Sequence, residues 1–170
     1  MGYVNDTHFS QFISPFTWGY SAGTWTPTVA SNVVKNVRSA ADASVTVTVP
    51  ILIPSNASAL KGCKLVSIDV WYAIATAAAD DFATVELEKM TLPADDVAVS
   101  GAAVTTTLDT GHDTAAERLA IDTDHCMTVT LSTPAWIDDG DAYYLQMVID
   151  NAAGTVLTFF GARANYIFRA

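Results

Sequence analysis

Hydrophobic and polar residues alternate along most of this chain, and the longest such pattern lies near the C-terminal end. In residues 142–150 every second position is apolar, at Tyr143, Leu145, Met147 and Ile149. A period of two predicts a β-strand that buries one face. A turn at 151–154 follows, and residues 155–169 alternate again. We therefore expect a second long strand that forms a hairpin with the first.

Shorter runs at 33–38, 44–53, 63–76, 82–90, 103–109 and 125–133 predict further strands. Pro50 removes a backbone donor, which predicts a sheet edge or a bulge at that position. The strand at 63–76 has a predicted inner face of Val66, Ile68, Val70, Tyr72 and Ile74, and an outer face of Ser67, Asp69 and Trp71. A helical turn is predicted only at 113–119, where either Asp113 or Thr114 is placed to cap it.

About eight strands with so little helix predict an all-β fold of two packed sheets. We expect a jelly-roll-like antiparallel β-sandwich. An immunoglobulin-like sandwich is the alternative, since Cys63, Trp71 and Cys126 match the order of its Cys…Trp…Cys core.

Residues 1–30 differ from the rest because they are rich in aromatic residues but follow no sustained period. We therefore divide the chain into an extended N-terminal arm, 1–30, and one sandwich domain, 31–170. The aromatic side chains of the arm need a surface to lie on. This surface is either the arm's own sandwich or a neighbouring subunit. In the second case the candidate interface residues are Tyr3, Phe9, Phe12, Phe16, Trp18, Tyr20 and Trp25.

The composition argues against several kinds of partner. The 170 residues carry a net charge of −10 and only eight Lys and Arg, which disfavours contact with a nucleic-acid backbone. No apolar run approaches the ~18 residues of a membrane span, so we expect no membrane partner. The N-terminus has no pattern of a secretory signal. Cys63 and Cys126 are expected to be free, buried thiols of a cytosolic product, with pairing between neighbouring strands left open.

One motif suggests catalysis. Asp109, Thr110 and Gly111 match the start of the aspartic-protease motif, and residues 159–161 match its later apolar-apolar-Gly element. Two carboxylates share a proton in that chemistry, so a homodimer would be required. The alternative is a strand that ends in an ordinary Asp-Thr-Gly turn. The next residue, His112, departs from the small residue found in those proteases, which favours the turn.

No cofactor or metal is expected. Asp138, Asp139 and Asp141 form an acidic loop that suggests calcium, but the loop lacks the alternating ligands of an EF-hand. The pairs 80–81 and 95–96 raise the same possibility, and a solvated turn explains all three. The three histidines, His8, His112 and His125, have no metal-site spacing.

Exposed aromatic residues on a β-sandwich suggest sugar binding. Trp25 and Trp136 lie in predicted loops and are candidate sugar platforms, with corner packing as the alternative for Trp136. Trp71, in the middle of a strand, is expected to serve in packing.

Three segments carry a resemblance. Residues 23–27 (Gly-Thr-Trp-Thr-Pro), 114–119 (Thr-Ala-Ala-Glu-Arg-Leu) and 160–169 (Phe-Gly-Ala-Arg-Ala-Asn-Tyr-Ile-Phe-Arg) resemble small β-rich structural proteins of tailed bacteriophages, of the capsid decoration, cement or fibre type. The resemblance implies a jelly-roll subunit that forms a homotrimer and clamps neighbouring shell proteins. It also implies a place in the virion after assembly in the host cytoplasm, and no catalytic residues.

The sequence therefore favours a non-enzymatic capsid decoration or cement subunit. Its expected partners are copies of itself and the viral major capsid protein or another virion protein. A carbohydrate-binding β-sandwich of a phage fibre is the first alternative, and a self-assembling filament or shell subunit is the second. The dimeric aspartic protease is the third.

Overall fold

The chain folds into two antiparallel sheets that pack face to face, which confirms the predicted jelly-roll-like all-β sandwich. The described residues form twelve strands rather than the predicted eight or so. The structure is a computed structural model. It describes residues 6–52, 63–95, 97–121, 124–137 and 140–169.

Over the described residues, the larger sheet has seven strands. Its order is β3 (Trp25–Ala30), β4 (Val33–Arg38), β12 (Val156–Arg169), β6 (Cys63–Ala75), β10 (Asp124–Trp136) and β9 (Thr106–Leu108). A seventh strand, β1 (Asp6–Ile13), pairs with the second half of β12. The outer face of this sheet carries the candidate site.

The smaller sheet has five strands in the part of the chain that the structure describes, in the order β2 (Gly19–Tyr20), β5 (Ala43–Ile51), β11 (Asp141–Asn151), β7 (Asp81–Thr91) and β8 (Ser100–Val104). β2 pairs only with Thr48 and Val47 of β5, so Pro50 lies beyond the part of this strand that β2 covers. A short helix, α1 (Ala115–Arg118), has Thr114 as its N-cap, with a reciprocal capping box to Glu117.

The core lies between the sheets and consists of the alternate residues that the sequence marks. Val45, Val47 and Val49 from β5 are fully buried, as are Leu145 and Met147 from β11. The larger sheet supplies the opposing side chains, which include Ile68, Val70, Tyr72, Leu157 and Phe159.

The predicted C-terminal hairpin is wrong. Although β11 and β12 follow each other directly, β11 pairs with β5 and β7, whereas β12 pairs with β1, β4 and β6. The turn at 152–155 therefore crosses from one sheet to the other. Alternation marks which face of a strand is buried, but it does not say which strand lies beside it.

A bulge in β12 changes which residues of that strand face the core. Leu157 and Phe159 are buried, but beyond Gly161 the buried positions become Ala162, Ala164 and Tyr166. Gly161 has φ of +140°, a conformation that residues with a Cβ rarely adopt. Strict alternation along 155–169 would have put Phe159 and Ala162 on opposite faces. A second register shift between β12 and β6 lies at Asn165 and Tyr166. Near it, Leu65 rather than Val66 is the buried residue of β6.

The N-terminal segment lies along its own sandwich over residues 6–30. β1 pairs with β12 from Asp6 to Ile13, and Ile13 is buried. Phe9 stacks on Tyr166 and Phe168 at centroid distances of 4.8 and 4.2 Å. Most of the described aromatic residues of the segment thus contact the domain itself.

The candidate interface residues of this segment differ in exposure. Trp18 is only 6% exposed and packs in the core, so its side chain is not available to a partner in this fold. Phe12 and Phe16 are 57% and 45% exposed, and an interface role for them stays a prediction. Tyr3 lies outside the described residues.

The immunoglobulin-like alternative is wrong in detail, because its three marker residues do not meet in the core. Cys63 is buried, whereas Trp71 and Cys126 face each other on the outer surface of β6 and β10. Both cysteines are free, as expected, but Cys126 is exposed rather than buried. Burial raises the pKa of the Cys63 thiol to about 11.

Candidate functional site

An open groove of about 320 Å³ lies on the outer face of the larger sheet. Its lining residues are Phe12, Trp71, Phe160 and Arg163, and we call it the outer groove. Three aromatic rings and one guanidinium group thus meet at a partly exposed surface where β1, β12 and β6 run side by side.

Strand register explains why these residues meet. Phe12 faces Arg163 across β1 and β12, and Arg163 faces Asp69 across β12 and β6. One step along the sheet, Trp71 faces Gly161. Side chains that are directly opposite on one face of a sheet are near enough to touch, so the groove is built from cross-strand neighbours.

The bulge at Gly161 shapes the floor of the groove. A Cβ atom on Gly161 would lie 2.5 and 2.6 Å from two ring carbons of Phe12, so the Phe12 ring lies directly over the glycine. Phe160 is the extra residue of this bulge and also lines the groove. Bulges of this kind re-aim side chains next to binding and active sites.

A buried carboxylate holds the polar side of the groove in place. The Asp69 side chain is only 8% exposed and accepts four hydrogen bonds. Thr128 Oγ1 donates to Oδ1 at 2.9 Å, while Arg163 Nε, Arg163 Nη2 and Asn165 Nδ2 donate to Oδ2 at 3.0, 2.8 and 3.0 Å. Asn165 also donates to Ser67 and accepts from Ser10. We call these six residues the Asp69 network.

The Asp69 network positions Arg163 against the aromatic part of the groove. The guanidinium carbon lies 5.2 Å from the centroid of the Trp71 ring, which is within the range of a cation–π contact. Arg163 remains 47% exposed in its side chain. The groove therefore offers fixed aromatic faces beside a fixed, accessible cation.

Trp71 was expected to serve in packing, and Trp25 and Trp136 were the candidate sugar platforms, so the sequence did not indicate Trp71 as a site residue. Trp25 stacks on Tyr20 at 4.0 Å and donates its indole N–H to the Ala22 carbonyl, so it serves in packing. Trp136 is 40% exposed, and Lys64 Nζ lies 4.5 Å from its ring centroid. Its role as a sugar platform stays a prediction. The alternation along 63–76 indicated that Asp69 and Trp71 face outward. The strand register that places Phe12 and Arg163 beside them could not be read from the sequence.

Asp109 occupies a turn, as the alternative to a protease site predicts. Its carboxylate accepts hydrogen bonds from the backbone N–H of Thr128 at 2.6 Å and of Gly111 at 3.0 Å. His112 Nδ1 lies 2.8 Å from the same carboxylate. Phe159, from the supposed later protease element, is fully buried in the core. The arrangement supports a carboxylate that closes a turn.

Two buried histidines, His112 and His125, extend the polar contacts of the Asp109 carboxylate into the protein. His112 Nε2 lies 3.1 Å from His125 Nδ1, and His125 Nε2 lies 2.7 Å from the Ala120 carbonyl oxygen. The two imidazole rings thus link the Asp109 carboxylate to the Ala120 carbonyl oxygen through three short contacts.

We expect Asp109 to stabilise the fold above its unfolded-state pKa. Burial by itself raises the pKa of Asp109, but the hydrogen bonds from Thr128, His112 and Gly111 outweigh it and lower the pKa. Stability from this group is therefore present above the ordinary pKa of ~3.9 and is lost as the pH falls through the lower, folded-state value. Asp109→Asn should cost about 1–2 kcal/mol at pH 7, since the side chain is a third exposed and partly screened. Urea unfolding from pH 2 to 7 measures this.

The matched control for Asp109 is Glu86→Gln, at an exposed carboxylate of β7. It should change the unfolding free energy little at any pH. If Asp109→Asn keeps the stability and the acid dependence of the original chain, the turn does not depend on this carboxylate.

The other acidic groups give no metal site among the described residues, where no group of three possible ligands converges. Asp138 and Asp139 of the acidic loop, and Asp96, lie outside the described residues. Asp141 pairs with Lys89 at 2.6 Å and accepts a hydrogen bond from Thr91. In the part of the chain that the structure describes, no helix is long and apolar enough to span a membrane.

A scan against protein-family models and a search of curated proteins each returned no match. Among solved structures, the chain is similar to TmCBM61 in complex with β-1,4-galactotriose, at 10% identity and a TM-score of 0.40, over 92% of this chain and 91% of that one. It is also similar to a family 11 carbohydrate-binding module from Clostridium thermocellum in complex with a mixed-linked tetrasaccharide, at 8% identity and a TM-score of 0.36, over 96% and 89%.

The enzymatically active domain of tailspike protein 4 from bacteriophage CBA120 is similar at 9% identity and a TM-score of 0.37, and the match covers 94% of this chain and 19% of that one. Likeness at these identities and TM-scores carries no functional argument. A function for this chain must therefore be sought in its own residues, of which the outer groove and the Asp69 network are the most developed set.

Proposed function

We propose that this chain is a carbohydrate-binding β-sandwich domain and that the outer groove is its binding site. The observation that carries the proposal is the exposed pairing of aromatic rings, Phe12 and Trp71, with Arg163, which a buried carboxylate holds in place. One face of a sugar ring presents C–H groups that pack on aromatic rings, and its edge presents hydroxyls that hydrogen-bond to planar polar side chains. The groove offers both kinds of surface.

The groove is prepared before a ligand arrives. Arg163 is fixed by two hydrogen bonds to Asp69 and lies against the Trp71 ring, so little side-chain freedom is left to lose on binding. Preorganisation of this kind favours binding because the cost of ordering flexible side chains has already been met in folding. Phe12 is similarly held over Gly161.

The groove also differs from an ordinary sheet surface because a buried charge, the Asp69 carboxylate, lies behind it. Asp69 is almost fully removed from water, and burial of a charge is costly unless it is paired and hydrogen-bonded. Four donors meet that need, and three of them come from Arg163 and Asn165 on the neighbouring strand. A buried network that fixes one exposed cation beside aromatic rings fits a binding site better than a plain solvated face.

We expect Trp71→Ala to weaken glycan binding strongly without unfolding the domain. A central aromatic contact in a binding site contributes about 2 kcal/mol or more, so affinity should fall at least about 30-fold. A glycan array identifies the ligand for the unmodified chain, and calorimetry then compares the two proteins. Trp71 is only partly buried, and circular dichroism should show a retained β fold.

Trp136→Ala is the matched control, because Trp136 is also an exposed tryptophan but lies outside the groove. It should leave affinity unchanged. Loss of binding in Trp136→Ala, with Trp71→Ala unaffected, would move the site to Trp136 and overturn the groove assignment.

The virion-subunit hypothesis shares Phe12 with the outer groove and adds Phe16, and the same protein samples separate the two hypotheses. The exposure of Phe12 and Phe16 on the N-terminal segment supports it. A chain that binds no glycan on the array, but whose mass by light scattering corresponds to a trimer or larger assembly, would overturn the carbohydrate proposal in favour of a structural subunit.

A further inference from the structure

We infer that the outer groove selects acidic sugars, with Arg163 binding the sugar carboxylate. This inference rests on the proposed carbohydrate function and deepens it by naming the ligand class. The basis is the hydrogen bonding around the groove, where some donors and acceptors already have partners and others do not.

Arg163 has one edge of its guanidinium occupied and another edge open. Its Nε and Nη2 donate to Asp69 Oδ2 at 3.0 and 2.8 Å. Among the described residues nothing accepts a hydrogen bond from Nη1, and Nη2 has a second N–H. The Nη1 and Nη2 edge is therefore free, and a guanidinium edge of this kind matches the two oxygens of a carboxylate.

The acceptors near the groove are already in use. Asp69 receives four hydrogen bonds, and the side-chain oxygen of Asn165 receives one from Ser10 at 2.8 Å. Neither group lines the groove itself. The groove thus presents aromatic faces and N–H donors, and such a surface favours a ligand that brings its own acceptor.

The charges near the groove match one carboxylate rather than a dense polyanion. Arg163 is the cation among the lining residues, and Asp69 behind it offsets the charge without removing the free N–H groups. The chain as a whole carries −10, so a long run of negative charge would be repelled. A uronic acid has an apolar ring face and a single carboxylate per ring, and it therefore suits both parts of the groove.

The test compares acidic tetrasaccharides with their own methyl esters. Tetrasaccharides that carry a single galacturonate, glucuronate or mannuronate residue on an otherwise neutral chain are each measured by calorimetry as the free acid and as the methyl ester. The ester keeps the ring and removes the charge, so any difference reports on the carboxylate. The buffer contains about 0.15 M salt, which limits the range of the net −10 charge to a Debye length of about 8 Å.

We expect at least one free acid to bind about tenfold or more tightly than its ester. Arg163→Lys keeps the positive charge but removes the two-pronged edge, and it should reduce that ratio toward one. Trp71→Ala should weaken acid and ester alike, because the ring stacks on the sugar whatever its charge.

Two other outcomes are distinguishable. If an ester, or a neutral glycan from the array, binds as tightly as the acid and still requires Trp71, the acidic preference is overturned while the carbohydrate function stands. If no acid, ester or neutral glycan binds, the proposed function fails and this inference fails with it.

Discussion

Trp18→Ala is expected to destabilise the domain by about 3–5 kcal/mol, the range found for large aromatic residues removed from a core. Trp18 is 6% exposed, and its ring centroid lies 5.0 Å from that of Phe159. Phe159 is fully buried and also contacts Tyr20 and Trp25. The N-terminal segment thus completes the core, and removal of one of its aromatic rings should leave a large cavity. Urea unfolding followed by fluorescence and circular dichroism measures the loss.

Two control variants sharpen this prediction. Phe16→Ala, two residues away but 45% exposed, should change stability by no more than about 0.5 kcal/mol. Trp18→Phe should cost far less than Trp18→Ala, because the indole N–H of Trp18 is buried without a hydrogen-bond partner among the described residues. Phenylalanine keeps an aromatic ring and removes that unsatisfied donor.

The Trp18 result also bears on the role of the N-terminal segment. If Trp18→Ala is as stable as the original chain, the Trp18 side chain does not contribute to the core, although β1 and the buried Ile13 still join the segment to the sandwich. If the expected loss is found, deletion of this segment is not a clean test of assembly, because deletion would also remove part of the core. Substitutions at the exposed Phe12 and Phe16 then become the proper test.

Gly161→Ala is the second change with a large expected effect, a loss of about 2–4 kcal/mol from backbone strain and overpacking together. Gly161 has φ of +140°, which is unfavourable for any residue with a Cβ. The new Cβ would also lie 2.5 Å from the Phe12 ring and 3.1 Å from the Ile13 carbonyl oxygen. The ring can rotate away, but the carbonyl belongs to the paired strand β1 and cannot move without loss of pairing.

The groove should be affected along with the fold. If Phe12 is displaced from its place over Gly161, the stacking surface changes, and glycan affinity should fall even at temperatures where the variant is folded. Thermal unfolding together with calorimetry of the bound glycan separates these two effects.

Gly101→Ala is the control for this prediction. Gly101 lies in β8 at the edge of the smaller sheet, and an added Cβ would have its nearest contact at an ordinary 3.6 Å, from the Lys89 carbonyl oxygen. It should be close to neutral. The double variant Gly161→Ala with Phe12→Ala removes the ring clash but not the backbone strain, so it should recover only part of the loss. A neutral Gly161→Ala would contradict the bulge in β12.

Local pattern determined much of the fold. The alternation of Val45, Val47 and Val49, and of Leu145 and Met147, specifies which face of each strand is buried, because side chains on a strand point to opposite faces in turn. Thr114 and Glu117 likewise carry their own helix cap within four residues of sequence. Features of this kind depend on near neighbours and are visible in the sequence alone.

Only the tertiary structure decided which strands pair, and this choice created the groove. β11 and β12 were expected to form a hairpin, yet they lie in different sheets, since pairing depends on contacts between residues far apart in the chain. Phe12 and Arg163 are adjacent only because β1 joins β12, and Trp71 reaches the groove only beside the Gly161 bulge. The sequence by itself determined the strands and their buried faces. The tertiary structure decided the register, the bulge and hence the site.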